Sequence, residues 1–211
     1  MTLPALDHLV LAAPSLAEGT AWAERRLGVP LGPGGAHPGM GTHNRLLRLG
    51  ADAFLEVIAP DPAGRAPPHP RWFGMDDGDA LRRRWDEGPR LCAWVARVPG
   101  LDAALAADPA LLGRPVPQTR GALSWRFALR ADGQPPLGGA APCLIEWDQG
   151  TPAPRLPEAG CALDRLVLRH PDPARVERLL TRLGLAGVAE VLAGEAGVLA
   201  QVRTPGGVVE L

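Results

Sequence analysis

An internal repeat constrains this chain more than any other feature. Leu6-Asp7-His8-Leu9-Val10-Leu11 returns as Leu163-Asp164-Arg165-Leu166-Val167-Leu168, with His8 exchanged for Arg165 as the single difference. Pro14-Ser15 follows the first copy and Pro171-Asp172 the second, each leading into a helical stretch. Those stretches end alike, at Arg26-Leu27-Gly28 and Arg182-Leu183-Gly184. A strand–helix unit written twice must bury the same faces twice, so the chain is built of like modules.

The helix ends support this reading. Ser15 and Glu18 have the spacing of a capping box, which satisfies free backbone N–H groups at a helix start. Asp172 suits an N-cap, with Pro173 at the first helical position, where its missing N–H costs nothing. Val176, Leu179, Leu180 and Leu183 then form one buried stripe, and Gly28 and Gly184 stand where a left-handed terminal residue is wanted.

Three βαβββ units are expected. The first spans residues 3–60, with a short strand near 29–31 and strands at 44–49 and 54–59. The second, at 90–149, has a strand at 91–98, a helix at 101–107 and strands near 115–119, 124–131 and 142–148. The third occupies 158–211, leaving 1–150 as one domain of two paired modules. Pro-rich connectors at 61–70 and 152–157 separate the units, and a helix near 77–85 follows the first of them. The fold class is α+β.

Composition narrows the chemistry. With 46% hydrophobic and 21% charged residues over 211 positions, the chain can bury a core. Its formal charge of -1 supplies no field for nucleic acid or an anionic membrane. No apolar run approaches the about 20 residues that span a bilayer. Met1-Thr2-Leu3-Pro4-Ala5 has no basic leader, so a cytoplasmic location is expected. Every basic residue is Arg, which removes Schiff-base chemistry and a phosphate-loop lysine. Neither Ser15 nor Ser124 sits in a nucleophile elbow. Cys92, Cys143 and Cys161 are spaced as buried free thiols.

Strand alternation selects the candidate chemistry. Glu56 lies within Phe54-Leu55-Glu56-Val57-Ile58, Glu146 within Leu144-Ile145-Glu146-Trp147, and Glu210 within Val208-Val209-Glu210-Leu211. A lone carboxylate in an apolar strand is costly unless paired or bound to a cation. His8, Glu56 and Glu146 are therefore candidate ligands for a divalent ion of Zn, Ni, Mn or Fe. In the third unit Arg165 and Glu210 are expected to fill the same slot as an ion pair. The alternative is a core histidine with glutamates that accept ordinary hydrogen bonds.

The segment His37-Pro38-Gly39-Met40-Gly41-Thr42-His43-Asn44 reads as a tight polar loop. In it His43 is a candidate proton carrier, together with Glu146, and His37 a candidate substrate contact. Arg45 and Arg126, on comparable third strands, suit a substrate carboxylate. Both histidines can equally be read as turn caps, and both arginines as solvated face residues. Trp22, Trp85, Trp94, Trp125 and Trp147 read as packing residues, and Trp72-Phe73 as a lid edge.

The opening Leu6–Val10 run, the His37–Asn44 segment and Leu55-Glu56-Val57-Ile58-Ala59-Pro60 resemble the glyoxalase-like domain family of the vicinal oxygen chelate superfamily. The resemblance covers roughly residues 3–150. It implies paired βαβββ modules curled into an incomplete barrel, and commonly a divalent metal held by the first and last strands of both modules. Its four slots fall on His8, Glu56, Ala93 and Glu146, and alanine departs from the pattern. The function implied is a metal-dependent lyase or isomerase acting on a small oxygenated metabolite by chelating vicinal oxygens. The alternative is a non-catalytic protein that binds or sequesters a small molecule. An unpaired third module leaves a sheet edge that invites a second copy, so a homodimer is an expectation.

Overall fold

Residues 7–12 are buried without interruption, the mark of a strand covered on both faces. The computed structural model, which describes residues 3–211, places them at the centre of an eight-stranded sheet. Met1 and Thr2, which begin the segment read for a leader, lie outside the described residues.

The first module comprises β1 (Ala5–Ala12), α1 (Leu16–Leu27), β2 (Gly32–His37), β3 (Thr42–Arg48) and β4 (Phe54–Pro60). A short 3-10 turn (Trp72–Gly74) and α2 (Gly78–Glu87) lead to the second. That module comprises β5 (Leu91–Arg97), α3 (Leu101–Leu105), α4 (Pro109–Leu112), β6 (Arg114–Arg120), β7 (Leu123–Leu129) and β8 (Cys143–Trp147). The strand order is β2-β3-β4-β1-β5-β8-β7-β6. Within each module the last strand runs parallel to the first, and β1 and β5 join the modules antiparallel. The sheet curls until its edges face each other: a Cβ on Gly35 of β2 would stand 3.0 Å from Arg120 Cδ of β6.

The helix ends follow the sequence. Ser15 Oγ accepts from Glu18 N at 3.2 Å, Asp172 Oδ1 accepts from Arg175 N at 3.0 Å, and Gly28 adopts φ 71°. Two boundaries differ from the expectation. The short strand begins at Gly32 instead of covering 29–31, because the glycine-rich run pairs along β3 from Leu46 to Thr42 and is not a turn. The helix expected at 101–107 stops at Leu105, and Asp108 caps the separate α4 through Leu111 N.

The two faces of the sheet have separate cores. On the convex face Leu9, Leu11, Leu55, Val57, Trp94, Ala96 and Leu144 pack with Ala23 and Leu27 of α1. On the concave face Val10, Ile58, Ala93, Val95, Phe127 and Ile145 pack with Met40, Trp72 and Phe73.

The third module comprises β9 (Ala162–His170), α5 (Pro173–Arg182), β10 (Glu190–Ala193), β11 (Gly197–Thr204) and β12 (Gly207–Glu210). It joins the convex-face core through Leu166, Leu168, Leu179, Val198 and Val202. The element order is repeated but not the pairing: the second sheet runs β10-β9-β11-β12, so the strand parallel to β9 is β10. The expected Arg165–Glu210 pair is therefore not formed. Arg165 donates to Glu190 Oε2 from Nε at 2.8 Å, while the Glu210 carbonyl accepts from Arg26. Cys92, Cys143 and Cys161 are buried free thiols. Among the described residues, no helix is long and apolar enough to cross a membrane.

Candidate functional site

Asp7 is the extra residue of a β-bulge between Leu6 and His8. The bulge lets two consecutive polar residues meet beside an otherwise apolar strand. Asp7 Oδ1 accepts from His8 Nδ1 at 2.7 Å, and Asp7 Oδ2 accepts from Trp147 Nε1 at 3.0 Å. The His8 ring stacks on Phe54, centroids 4.5 Å apart, and its Nε2 lies 3.5 Å from Glu56 Oε2. At that separation His8 and Glu56 form a buried ion pair with a long N–H···O contact, weaker than the bond to Asp7.

Glu56 is held from its other side by Asn44, whose Nδ2 donates to Oε1 at 2.6 Å. Asn44 Oδ1 accepts from Gly35 N and from Arg120 Nη1, at 2.9 and 3.2 Å. His37, at the end of β2, has Nδ1 3.1 Å from Thr42 Oγ1 and Nε2 facing Asn44 Nδ2 and Arg120 Nη1. Two donors aimed at Nε2 make it the acceptor, which puts the proton of the neutral ring on Nδ1.

These groups line the inner wall of a narrow cleft whose other walls are Phe54, Trp72, Phe73, Trp125, Phe127 and Trp147. Its open volume is about 30 Å³. Trp72 and Phe73, read from the sequence as a lid edge, are buried residues of its wall, with the Trp72 and His37 rings nearly perpendicular and centroids 5.2 Å apart.

Burial sets the charge states. It disfavours the His8 cation, but the hydrogen-bonding contacts to Asp7 and Glu56, together with their charges, outweigh it and raise His8 to about 9. Burial likewise works against the Glu56 anion, and His8 overrides it, lowering Glu56 to about 2. His37 has no such partner, so burial pushes it down to about 4. At neutral pH the cleft holds an imidazolium between carboxylates beside a neutral imidazole.

Of the residues singled out from sequence, His8, Glu56 and His37 come together here. Glu146, His43, Arg45 and Arg126 do not. Leu144 of β8 faces the convex core as Leu55 does, so Ile145, not Glu146, is level with Glu56. Glu146 therefore points to the opposite face. There it accepts from Gly100 N at 2.7 Å and from Arg126 Nε at 2.8 Å, and Arg126 also pairs with Asp102. These partners outweigh the cost of its partial burial and hold its carboxyl below the ordinary range.

In β3 the same alternation puts Thr42, Asn44 and Leu46 inside. His43 lies outside, 4.0 Å from Asp61, and Arg45 is exposed on that side.

Among the described residues, no three His, Cys, Asp or Glu side chains are placed to share a metal ion. His8 Nε2 and Glu56 Oε2 are the two donors the cleft offers from the expected set, and the Arg120 guanidinium lines the same wall. The residues present do not fit the three-ligand site.

Sequence reasoning does not select Asp7, Asn44 or Arg120. Asp7 carries a signal, as a carboxylate that recurs at Asp164 inside both copies of the repeat. Asn44 is found by counting alternate residues from Leu46. Arg120 comes from the far sheet edge, and no local pattern marks it.

The profile of the glyoxalase-like domain family matches residues 6–184. The chain belongs to that family. No curated protein matches the sequence.

Among solved structures, the glyoxalase-like chain is similar to a hypothetical protein from Staphylococcus aureus. The two are 10% identical with a TM-score of 0.62 over 93% of this chain and 88% of that one. Methylmalonyl-CoA epimerase from Mycobacterium tuberculosis is 21% identical, with a TM-score of 0.41 over 68% of this chain and 86% of that chain. A Streptomyces coelicolor methylmalonyl-CoA epimerase in complex with 2-nitronate-propionyl-CoA is 13% identical, with a TM-score of 0.43 over 69% of this chain and 97% of that chain.

Proposed function

We propose that the concave cleft binds and processes a small oxygenated metabolite, with the His8 imidazolium stabilising negative charge that develops on a ligand oxygen. The observation that carries this reading is the Nε2 proton of His8, held by Glu56 only at the long distance of 3.5 Å, in an aromatic-walled cleft. Asp7 fixes the ring through Nδ1, so the donor is oriented before a ligand arrives. A fixed cation in a dry site stabilises an oxyanion far better than one in water, and costs no reorganisation during reaction. Glu56 is the proton acceptor within reach. Superfamily members often use divalent metals, but this donor set does not fit one, and the chemistry is assigned to the side chains themselves.

The test is incorporation of solvent deuterium into small hydroxy and oxo compounds, followed by NMR. The wild type is expected to exchange a proton next to the polarised oxygen, and His8→Gln to lose about 100-fold of that rate. Undiminished exchange in His8→Gln overturns the reading.

One observation favours a second reading, sequestration without chemistry. A Glu56 carboxyl lowered to about 2 is a weak base. That reading expects binding that depends on His8 with no exchange in the wild type.

A further inference from the structure

Arg120 enters the cleft without an acidic partner among the described residues, unlike Arg48, Arg97, Arg126, Arg130, Arg165 and Arg203, which each pair with a carboxylate. Its Nη1 donates to two neutral acceptors, His37 Nε2 at 3.3 Å and Asn44 Oδ1 at 3.2 Å. That bond pair fixes the plane of the guanidinium. Nε and Nη2 have no acceptor among the described residues, so one complete edge of the fork is free. This is the edge that receives a carboxylate through two parallel N–H···O bonds. A second group in the same wall lacks a partner: Trp72 Nε1, buried and without an acceptor. A buried indole N–H without a partner is uncommon and is satisfied by an added acceptor.

The surroundings bound the rest of the ligand. Phe54, Trp125, Phe127 and Trp147 offer apolar rings, and the open volume of about 30 Å³ admits a carboxylate and little more unless the Trp72–Gly74 turn moves. The charges already present cancel, with the His8 and Arg120 cations set against Asp7 and Glu56, and of the four Arg120 alone lacks a close ion partner.

We infer that the ligand of this cleft is a small monocarboxylate, docked on the Nε–Nη2 edge of Arg120. The inference rests on the reading of the concave face as the working site and names the substrate class for it. It assigns to Arg120 the carboxylate contact that the sequence pattern suggests for Arg45 and Arg126.

The experiment is calorimetric titration of the full chain with acetate, propionate and pyruvate, alongside acetamide and inorganic phosphate. NMR of the histidine rings locates binding. Carboxylates are expected to bind and to shift the His8 and His37 signals, whereas acetamide does not. Arg120→Gln is expected to weaken carboxylate binding by about 10- to 100-fold, because two charge-assisted bonds are lost. Arg120→Lys should restore part of it, with the charge but not the fork, and the control Arg45→Gln should bind as the wild type does.

Equal affinity for acetate in Arg120→Gln and wild type, or for acetamide and acetate, overturns the inference, as does a preference for phosphate. If His8→Gln alters binding while Arg120→Gln does not, the carboxylate assignment fails and the site stands. If no probe moves either ring signal in the wild type, both fail.

Discussion

His8 Nε2 faces Glu56 Oε2 at 3.5 Å, tying the first strand of the first module to its last beneath the cleft. Both side chains are buried, and so is Asp7 on the other side of the ring. Removing the cation leaves two buried carboxylates without their close cationic partner, held by Trp147 Nε1 and Asn44 Nδ2, whereas removing Glu56 leaves the imidazolium bonded to Asp7. His8→Gln should therefore destabilise by about 3–5 kcal/mol, and Glu56→Gln by clearly less. Urea unfolding of both variants checks the order. Equal losses would show that Asp7 does not share the proton-bearing ring.

Stability should peak near pH 6.5 and fall on both sides, for opposite reasons. His8 is raised from 6.5 to about 9, so its contribution is complete below 6.5 and disappears as pH rises through 9. His37 is lowered from 6.5 to about 4, so its neutral form supports folding above 6.5 and that support is lost as pH falls toward 4. Glu56, lowered from 4.5 to about 2, adds its loss only below 4.5. Between 6.5 and 4.5 the slope belongs to His37, at most about 1.4 kcal/mol per pH unit for one proton. His37→Gln should flatten that limb in chemical unfolding and leave the alkaline limb in place.

The third module repeats the His8–Glu56 slot in altered chemistry. Val10 stands opposite Glu56 on β4, and its repeat Val167 stands opposite Glu190 on β10. Arg165, the repeat of His8, reaches that Glu190. The pair is about half exposed, 46% and 43%, where the first-module pair is buried. Arg165→Ala should thus cost under about 1 kcal/mol in thermal or urea unfolding, far less than His8→Gln.

Much of that module is legible in the sequence. The repeated Leu-Asp-x-Leu-Val-Leu run identifies the strand, its recurring aspartate and the idea of an ion pair replacing the His8 slot. The acidic partner is not legible, because strand order points to Glu210 while the pairing selects Glu190. Whether β10 or β12 lies against β9 is decided by packing on the convex face, which no local pattern records.

Glu146 illustrates a different failure, a register error of one residue. In a strand a shift by one exchanges the faces, so a carboxylate that looks equivalent to Glu56 faces the helices instead. It closes the start of α3 through Gly100 N and Leu101 N. Glu146→Gln should cost about 1 kcal/mol, as for a lost helix cap, and should leave ligand binding in the cleft unchanged. Calorimetry with acetate and a urea melt on the same variant separate the two effects. Loss of binding with an unaltered melt would place Glu146 back in the site.

Gly34 and Gly35 are adjacent, yet substitution should separate stability from function. A Cβ on Gly34 would overlap the backbone carbonyl of Asn44, which belongs to the β2–β3 ladder and cannot withdraw. At Gly35 the obstacle is the Arg120 side chain, 3.0 Å from the added carbon at Cδ and 3.5 Å at Nε. A flexible side chain can retreat where a ladder cannot. Gly34→Ala is therefore expected to lose about 1–3 kcal/mol, the scale of overpacking, and more where backbone must shift. Gly35→Ala should unfold within about 1 kcal/mol of wild type, since the half-buried Arg120 side chain can turn away at the cost of two long neutral hydrogen bonds. Its carboxylate affinity should nonetheless fall, because the guanidinium that bonds His37 and Asn44 is displaced. Unfolding midpoints and acetate titration of both variants decide this. A Gly35→Ala protein that binds acetate at wild-type strength would mean that the seat of Arg120 does not govern the cleft.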